Sequence, residues 1–203
     1  MDFSFTAEQR QIAAAIAKTC KRFDDSYWLA RDRTGDFPHD FCSALAADGW
    51  LGIAMPESYG GAGLGIMEAA LMMQTIAESG AAMSGCSAVH MNIFGPNVIV
   101  VFGTDEQKAR MLPPLIGGQT RACFGVTEPD TGLDTAHLKT LARRNGDHYL
   151  VNGRKVWTST AKVADKILLI ARTKSIEECD KASDGLSLFY TDLDRSTVEV
   201  REI

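Results

Sequence analysis

The first part of the chain carries apolar residues at the spacing of an amphipathic helix. Thr6, followed three residues later by Gln9, forms a capping-box pattern, and an apolar stripe of helical period follows it. We therefore expect a long first helix that reaches about Arg31 and that Gly35 stops. The members of its stripe are Ile12, Ile16, Cys20 and Phe23.

The same periodicity continues to about residue 118. Pro38 opens a second helix, two apolar stretches over 66–80 and 89–102 predict core helices, and Thr104 caps the next one. These patterns predict an all-α N-terminal domain over residues 1–118.

A glycine-rich loop, Gly61-x-Gly63-x-Gly65, interrupts the helical region. It superficially resembles a dinucleotide-binding turn, because an apolar run precedes it and a helical pattern follows. However, its spacing is not G-x-G-x-x-G, and no strand-helix-strand unit surrounds it. We interpret the loop as a turn between packed helices.

At Gln119 the pattern changes from helical to strand-like. Asn145-Gly146 and Asn152-Gly153 are typical hairpin turns, which predicts an antiparallel meander over 138–159. Further strands are predicted over 167–171, 186–191 and 196–203. The fold class is therefore α+β, with an antiparallel, β-barrel-like middle domain over residues 119–203. This domain is expected to be incomplete at its C-terminus, because the sequence stops inside a strand-like segment.

Composition and charge narrow the class of protein. Hydrophobic residues make up 45% and charged residues 23%, typical of globular proteins, and the net charge of -5 argues against a nucleic-acid partner. No apolar run reaches about 18 residues, and the first residues have no leader pattern, so we expect a cytoplasmic protein without membrane contact. Five scattered cysteines indicate free thiols, and no Cys or His grouping indicates a metal site.

Two motifs carry the chemistry, Thr-Glu-Pro-Asp-Thr-Gly-Leu-Asp over 127–134 and Asn-Gly-Arg-Lys-Val-Trp-Thr-Ser over 152–159. Together with the helical first part, they identify the chain as similar to the acyl-CoA dehydrogenase family over its whole length. The resemblance implies an FAD enzyme with a further C-terminal helical domain. A glutamate beyond Ile203 would abstract the α-proton of an acyl-CoA thioester while the β-hydride passes to flavin N5.

The resemblance also implies site residues. Phe124, Val126 and Thr127 match the strand that lines the flavin ring, and the Thr127 hydroxyl would bond its pyrimidine edge. Trp157 matches an indole that covers one flavin face, and in the following Thr158-Ser159 pair the serine replaces a commoner threonine whose hydroxyl reaches N5.

The loop between the two motifs carries two further candidate positions. Gly132 belongs to the cofactor motif. Leu133 departs from the Gly-Ser-Asp pattern of many members, because leucine offers no hydrogen bond, and we expect an altered acyl or CoA contact there.

Three charged residues near these motifs have open roles. Glu128 lies in a turn and is expected to accept backbone N–H bonds rather than act as a base. Arg154 and Lys155 either meet phosphates or project from an edge strand.

The implied partners are an acyl-CoA substrate, an electron-transfer flavoprotein or similar acceptor, and further subunits of a homodimer or homotetramer. Residues 1–203 alone are expected to be inactive. Alternative functions are an acyl-CoA oxidase or another flavin oxidase or monooxygenase of the same fold. If 203 residues were the whole product, a non-catalytic binding or oligomerisation role would remain.

Overall fold

The computed structural model describes residues 4–203, and the chain divides into two compact units, with the border in sequence between Arg121 and Ala122. The first unit is helical and the second contains a sheet, so the α+β class is confirmed. The helices of the first unit are α1 (Ala7–Cys20), α2 (Asp25–Thr34), α3 (His39–Ala47), α4 (Ile66–Ile76), α5 (Ala82–Ile93), α6 (Asn97–Phe102) and α7 (Asp105–Ile116).

The single long helix predicted at the start is wrong, because the chain breaks between α1 and α2. The Thr6 capping box is present, and Gly35 ends α2 with φ of 71°. Between the helices, the Asp24 side chain accepts the Tyr27 N–H and starts α2 afresh. The apolar stripe crosses this break because Phe23 and Trp28 are both buried in the same core.

The apolar segment from Ile66 to Phe102 is kinked. By length and composition it could cross a membrane, but 44% of its most apolar window is buried within the protein. A π-helical turn over Ala77–Ala81 contains Gly80 at φ 96°, and Ala82 follows at φ 45°. Core helices of globular domains meet the same criterion, so this segment is weak evidence for a membrane span.

The glycine-rich loop is a turn that packs back on the preceding connector, as predicted. The Gly63 N–H donates to the Met55 carbonyl at 2.8 Å, and the Leu64 N–H donates to Ile53 at 3.0 Å. A Cβ on Gly61 would lie 2.1 Å from the Met55 carbonyl oxygen. Glycine is therefore required at position 61 by close packing of two backbone segments.

Replacement of Gly61 by alanine should lower the free energy of unfolding by about 3 kcal/mol, because the backbone at Met55 must move. Urea denaturation followed by circular dichroism measures this change. Ala62→Ser, at the exposed neighbouring position, is the control and should change stability by less than about 0.5 kcal/mol. Equal midpoints for Gly61→Ala and the wild type would contradict the packing argument.

The sheet of the second unit is mixed and open, so the prediction of an antiparallel, barrel-like sheet is wrong. The strands are β1 (Ala122–Gly125), β2 (Leu141–Asn145), β3 (His148–Asn152), β4 (Lys166–Arg172) and β5 (Leu186–Asp192). Their order in the sheet is β1-β4-β2-β3, with β5 paired to β4. β1 and β4 are parallel, and β5 is antiparallel to β4 along its length. Asn-Gly signals report only on neighbouring strands, whereas the long connection from β1 to β4 decides this topology.

The predicted meander is correct only for its first hairpin. β2 and β3 pair antiparallel around Gly146, whose φ is 64°. Residues 155–159, expected to form a third strand, are irregular, and so are residues 196–203. Gly153 does not turn the chain into a new strand, because it packs directly on Thr140, where a Cβ would lie 2.2 Å from the hydroxyl oxygen.

Candidate functional site

The structure brings the two motifs of the second unit side by side. The Val156 N–H donates to the Thr127 carbonyl at 2.9 Å, and the Lys155 ammonium donates to the Val126 carbonyl at 2.9 Å. Residues 126–128, which follow β1, are thereby joined to residues 155–157. Two candidate contacts that lie far apart in sequence, Thr127 and Trp157, are now neighbours on linked segments.

Trp157 combines exposure with an unusual backbone. Its φ is 57° and its side chain is 75% exposed. A bulky residue at positive φ costs about 1 to 3 kcal/mol and persists only where the surrounding structure holds it. Thr160, three residues later, also has a positive φ, of 62°. An exposed indole on a strained segment is typical of a platform for a ligand.

The hydroxyl residues next to Trp157 differ in their environment. Ser159 is exposed, whereas the Thr158 hydroxyl oxygen is buried and has no hydrogen-bond partner among residues 4–203. A buried hydroxyl without a partner costs about 1 to 3 kcal/mol, so Thr158 retains hydrogen-bonding capacity. The segment therefore presents an indole and two hydroxyl groups within three consecutive residues.

The strand side of the site is partly buried. Phe124 lies in β1, and Val126 and Thr127 follow it, all with intermediate exposure. Gly125 between them is packed tightly, since a Cβ there would lie 3.0 Å from the Ile167 side chain. β1 is therefore fixed against β4, and the residues after it leave the sheet from a defined position.

Gly132 and Leu133 lie on the loop that follows. A Cβ on Gly132 would meet no atom within 4 Å, and Leu133 is fully exposed. The hydrogen bonds between Glu128 and Thr131, at 2.9 and 3.1 Å, close the base of this loop. No hydrogen bond described for residues 4–203 joins Gly132 or Leu133 to the Trp157 segment, so the structure places these two candidates on the loop and leaves their ligand contacts as predictions.

Glu128 is a buried acceptor, as expected from the sequence. Its side chain is 4% exposed and accepts the N–H groups of Lys139 at 2.7 Å and Thr140 at 2.9 Å. Burial alone raises the pKa of Glu128, but hydrogen bonds from Thr140, Lys155 and Lys139 outweigh it and lower the pKa to about 2. A carboxylate held so firmly in its ionised form is a poor proton acceptor.

Lys155 occupies neither of the positions predicted for it. Its side chain is 10% exposed and its ammonium lies 2.9 Å from the Glu128 carboxylate. Burial lowers the pKa of Lys155 more than Glu128 raises it, while the pKa of Glu128 also falls. The short distance and the three donors on Glu128 indicate an ion pair. Arg154, in contrast, is exposed.

Sequence reasoning missed this ion pair. The two residues are 27 positions apart, and neither lies in a periodic pattern that would indicate a contact. The adjacency of each to a motif residue was the available signal, since Glu128 follows Thr127 and Lys155 precedes Trp157 by two positions.

The arrangement fits a flat ligand with a polar edge, such as the flavin implied by the resemblance. The exposed Trp157 indole offers a face for stacking, and the Thr158 hydroxyl offers a hydrogen bond. No group of three or more metal-ligating side chains occurs within residues 4–203. The five cysteines are free thiols, and four of them are buried.

Two family models match the chain, and together they cover most of it. "Acyl-CoA dehydrogenase, N-terminal domain" matches residues 6–119, and "Acyl-CoA dehydrogenase, middle domain" matches residues 123–203. The two matches meet close to the border between the helical unit and the sheet unit.

Curated relatives and solved structures agree with these matches. The 3-(aryl)acrylate reductase of Clostridium sporogenes is 34% identical, over 79% of this chain and 41% of the relative. Acyl-CoA dehydrogenase FadE12 of Mycobacterium tuberculosis is 34% identical, over 85% and 45%. The structure of a glutaryl-coenzyme A dehydrogenase in complex with glutaryl-CoA has a TM-score of 0.84 and 28% identity, over 95% of this chain and 48% of that one. The chain thus spans less than half the length of these proteins.

Proposed function

Because this chain belongs to the acyl-CoA dehydrogenase family, we propose that it forms the helical and middle domains of an FAD-dependent enzyme that oxidises an acyl-CoA thioester. The observation that carries the proposal is the joining of Thr127 to the strained, exposed Trp157 segment in one place. The glutaryl-CoA bound by a relative of similar fold supports a thioester of coenzyme A as the substrate class.

FAD, when bound, would supply the acceptor for the β-hydride. Trp157 would cover one face of the ring and exclude water from it. The Thr127 and Ser159 hydroxyl groups would donate hydrogen bonds to the polar edge, where preorganised donors stabilise negative charge as it develops. Thr158, whose hydroxyl is buried without a partner, would donate to the same ligand. Gly132 and Leu133 would lie where their loop meets the cofactor or the acyl-CoA.

The proton-abstracting base is proposed to lie beyond Ile203, as the family resemblance implies. Glu128, the buried carboxylate of the motif, is unsuitable because it is ionised, enclosed and bonded to three donors. Its role is therefore structural, and no residue of the site described above is assigned to proton transfer.

A second candidate function keeps the same fold but uses the flavin for a different reaction, either the reduction of a substrate or the transfer of electrons to oxygen. One relative is named as a reductase, the 3-(aryl)acrylate reductase, and this name favours a reduction as the alternative reaction. Flavin oxidases of the same fold would instead pass electrons to oxygen.

An assay with acyl-CoA thioesters under air separates these functions. Peroxide without an added acceptor indicates an oxidase, and turnover only with an acceptor, including an electron-transfer flavoprotein, indicates a dehydrogenase. Saturation of an arylacrylate substrate by the reduced enzyme indicates a reductase.

FAD binding is the first test of the proposed function. The protein expressed from its complete reading frame should bind FAD with the visible spectrum of a flavoprotein. Trp157→Ala should raise the FAD dissociation constant about 5- to 150-fold, because a stacked aromatic contributes about 1 to 3 kcal/mol. Phe102→Ala is the control, since Phe102 is also largely exposed, at 81%, but lies in the helical unit. A protein that stays colourless after incubation with FAD would refute the proposal.

A further inference from the structure

The ion pair between Glu128 and Lys155 links the two segments that carry Thr127 and Trp157. We propose that Glu128 and Lys155 are positioning residues, whose ion pair fixes Thr127 and Trp157 in the one arrangement that lets both contact the same flavin. This inference rests on the proposed function, because it assigns the pair a role only where a flavin binds.

The first support is the set of links that the pair makes between the two segments. The Lys155 ammonium donates to the Val126 carbonyl and to the Glu128 carboxylate, both at 2.9 Å. One backbone hydrogen bond, from Val156 to Thr127 at 2.9 Å, lies beside them. Of these three links, two depend on the Lys155 side chain. Its loss therefore removes two of these three links and leaves only the backbone bond among them.

The second support is that Glu128 is itself anchored to the sheet. Its carboxylate accepts the backbone N–H groups of Lys139 and Thr140, just before β2. The Thr140 carbonyl accepts the Arg172 N–H of β4 at 2.8 Å. The carboxylate is thus connected to the end of two strands, and Lys155 is held to a fixed point rather than to a mobile surface group.

The third support is the narrow space around the Lys155 stem. A Cβ on Gly125 would lie 3.4 Å from the Lys155 Cγ, so the side chain runs directly over the glycine of β1. Confinement of this kind leaves few rotamers to a long side chain and fixes where its charged end lies.

The fourth support is the strain at Trp157. A positive φ at tryptophan is unfavourable and requires surrounding structure to maintain it. On its N-terminal side, Trp157 follows Val156, whose N–H donates to Thr127, and Lys155, two residues away, whose side chain is the anchor of this segment. Without this anchor, we expect Trp157 to relax toward an ordinary backbone conformation and to move away from the position next to Thr127.

A merely structural ion pair would act differently. Its removal would lower stability but would leave the folded protein with the same affinity for FAD and the same environment at Trp157. The neutral pair Glu128→Gln with Lys155→Met separates the two roles, because it removes both buried charges at once. Replacement of a buried ion pair by uncharged residues of similar volume is often close to neutral for stability.

The experiment uses the protein from its complete reading frame, with Lys155→Met, Glu128→Gln and the double variant. We expect the FAD dissociation constant to rise about tenfold or more in Lys155→Met and in the double variant. The double variant should unfold closer to the wild type than either single variant does. In the absence of FAD, the emission maximum of Trp157, obtained by subtraction of the spectrum of a Trp157→Phe protein, should shift in Lys155→Met and in the double variant.

Lys139→Met provides the matched control. Lys139 forms an ion pair with Asp130 at 3.0 Å on the same loop, but both side chains are 71% exposed. Its backbone N–H still donates to Glu128 after the substitution. Exposed ion pairs contribute little to stability, so the FAD dissociation constant should change less than about twofold and the Trp157 fluorescence should not shift.

The outcomes distinguish the inference from the proposed function. If the wild type does not bind FAD, the proposed function fails and the inference fails with it. If the wild type binds FAD and the folded double variant binds it within twofold of the wild type with an unshifted Trp157 signal, the positioning role is overturned and the proposed function stands. If the single variants do not fold, the double variant alone decides between these two results.

Discussion

Replacement of Arg172 by methionine is expected to lower the free energy of unfolding by about 4 kcal/mol, because a buried guanidinium loses its several acceptors at once. Arg172 is 2% exposed at the end of β4, and four backbone carbonyl groups accept its hydrogen bonds. Their distances from the guanidinium nitrogens are 2.9 Å for Ala136, 3.0 Å for Ala182, 2.7 Å for Asp184 and 3.0 Å for Lys174.

The expected loss is large because the Arg172 guanidinium depends on these carbonyl groups. In the part of the chain described, residues 4–203, no carboxylate forms a hydrogen bond or ion pair with it. Carbonyl dipoles from the loop between β4 and β5 and from the turn at Ala136 converge on it instead. Methionine fills the space of the stem but donates nothing, so several carbonyl groups lose their donor together. The loop over 173–185 then loses its attachment to the sheet.

Guanidinium chloride denaturation followed by circular dichroism measures the predicted loss. Limited proteolysis should also cut the loop between β4 and β5 more quickly in the variant. Arg154→Met serves as the control because Arg154 is exposed, and its stability should remain within about 0.5 kcal/mol of the wild type. A loss below about 1 kcal/mol for Arg172→Met would show that the loop is held by other contacts.

Glu128 should make the stability of the protein sensitive to acid. Its hydrogen bonds lower its pKa from 4.5 to about 2 in the folded state. Since the folded pKa is the lower one, the stabilisation is fully present above about pH 5 and is lost as the pH falls from about 4.5 toward 2. A shift of this size corresponds to about 3 kcal/mol.

Comparison of the wild type with Glu128→Gln isolates this contribution from those of other carboxylates. The difference in free energy of unfolding should fall from about 3 kcal/mol at pH 6 to about 1 kcal/mol at pH 3, because the carboxylate with the ordinary pKa of 4.5 in the unfolded state becomes protonated while the folded one stays largely ionised. Urea denaturation across this range provides the measurement.

Asp130→Asn is the control for the pH series. Asp130 pairs with Lys139 on the same loop, but both side chains are largely exposed, so the difference from the wild type should be small at each pH. A difference for Glu128→Gln that stays constant between pH 6 and pH 3 would mean that the pKa of Glu128 is the same in the folded and unfolded states, and the low pKa would be wrong.

Local signals in the sequence were sufficient for several elements. The Thr6 and Thr104 capping boxes mark the starts of α1 and α7, because a cap depends on residues only three positions apart. The glycine-rich loop was correctly interpreted as a turn. The hairpin around Gly146 followed from its two-residue turn.

The same local reasoning failed where a distant residue decided the outcome. The break between α1 and α2 was hidden because the apolar stripe continues across it into the same core. Asn152-Gly153 carried a hairpin signal, but Gly153 packs on Thr140 and the chain does not turn back. The parallel pairing of β1 with β4 depends on strands that are more than 40 residues apart.

The segment over 122–161 shows the same division within the candidate site. The sequence by itself determined which residues carry the chemistry, since the two motifs and their similarity to the acyl-CoA dehydrogenase family indicated Thr127 and the Trp157 segment. Only the tertiary structure decided that Glu128 and Lys155 join these segments, that Trp157 adopts a positive φ and that the sheet is mixed. The reason is physical: side-chain chemistry and short-range caps are encoded locally, whereas a buried ion pair, a strained φ and strand order depend on the packing of segments far apart in sequence.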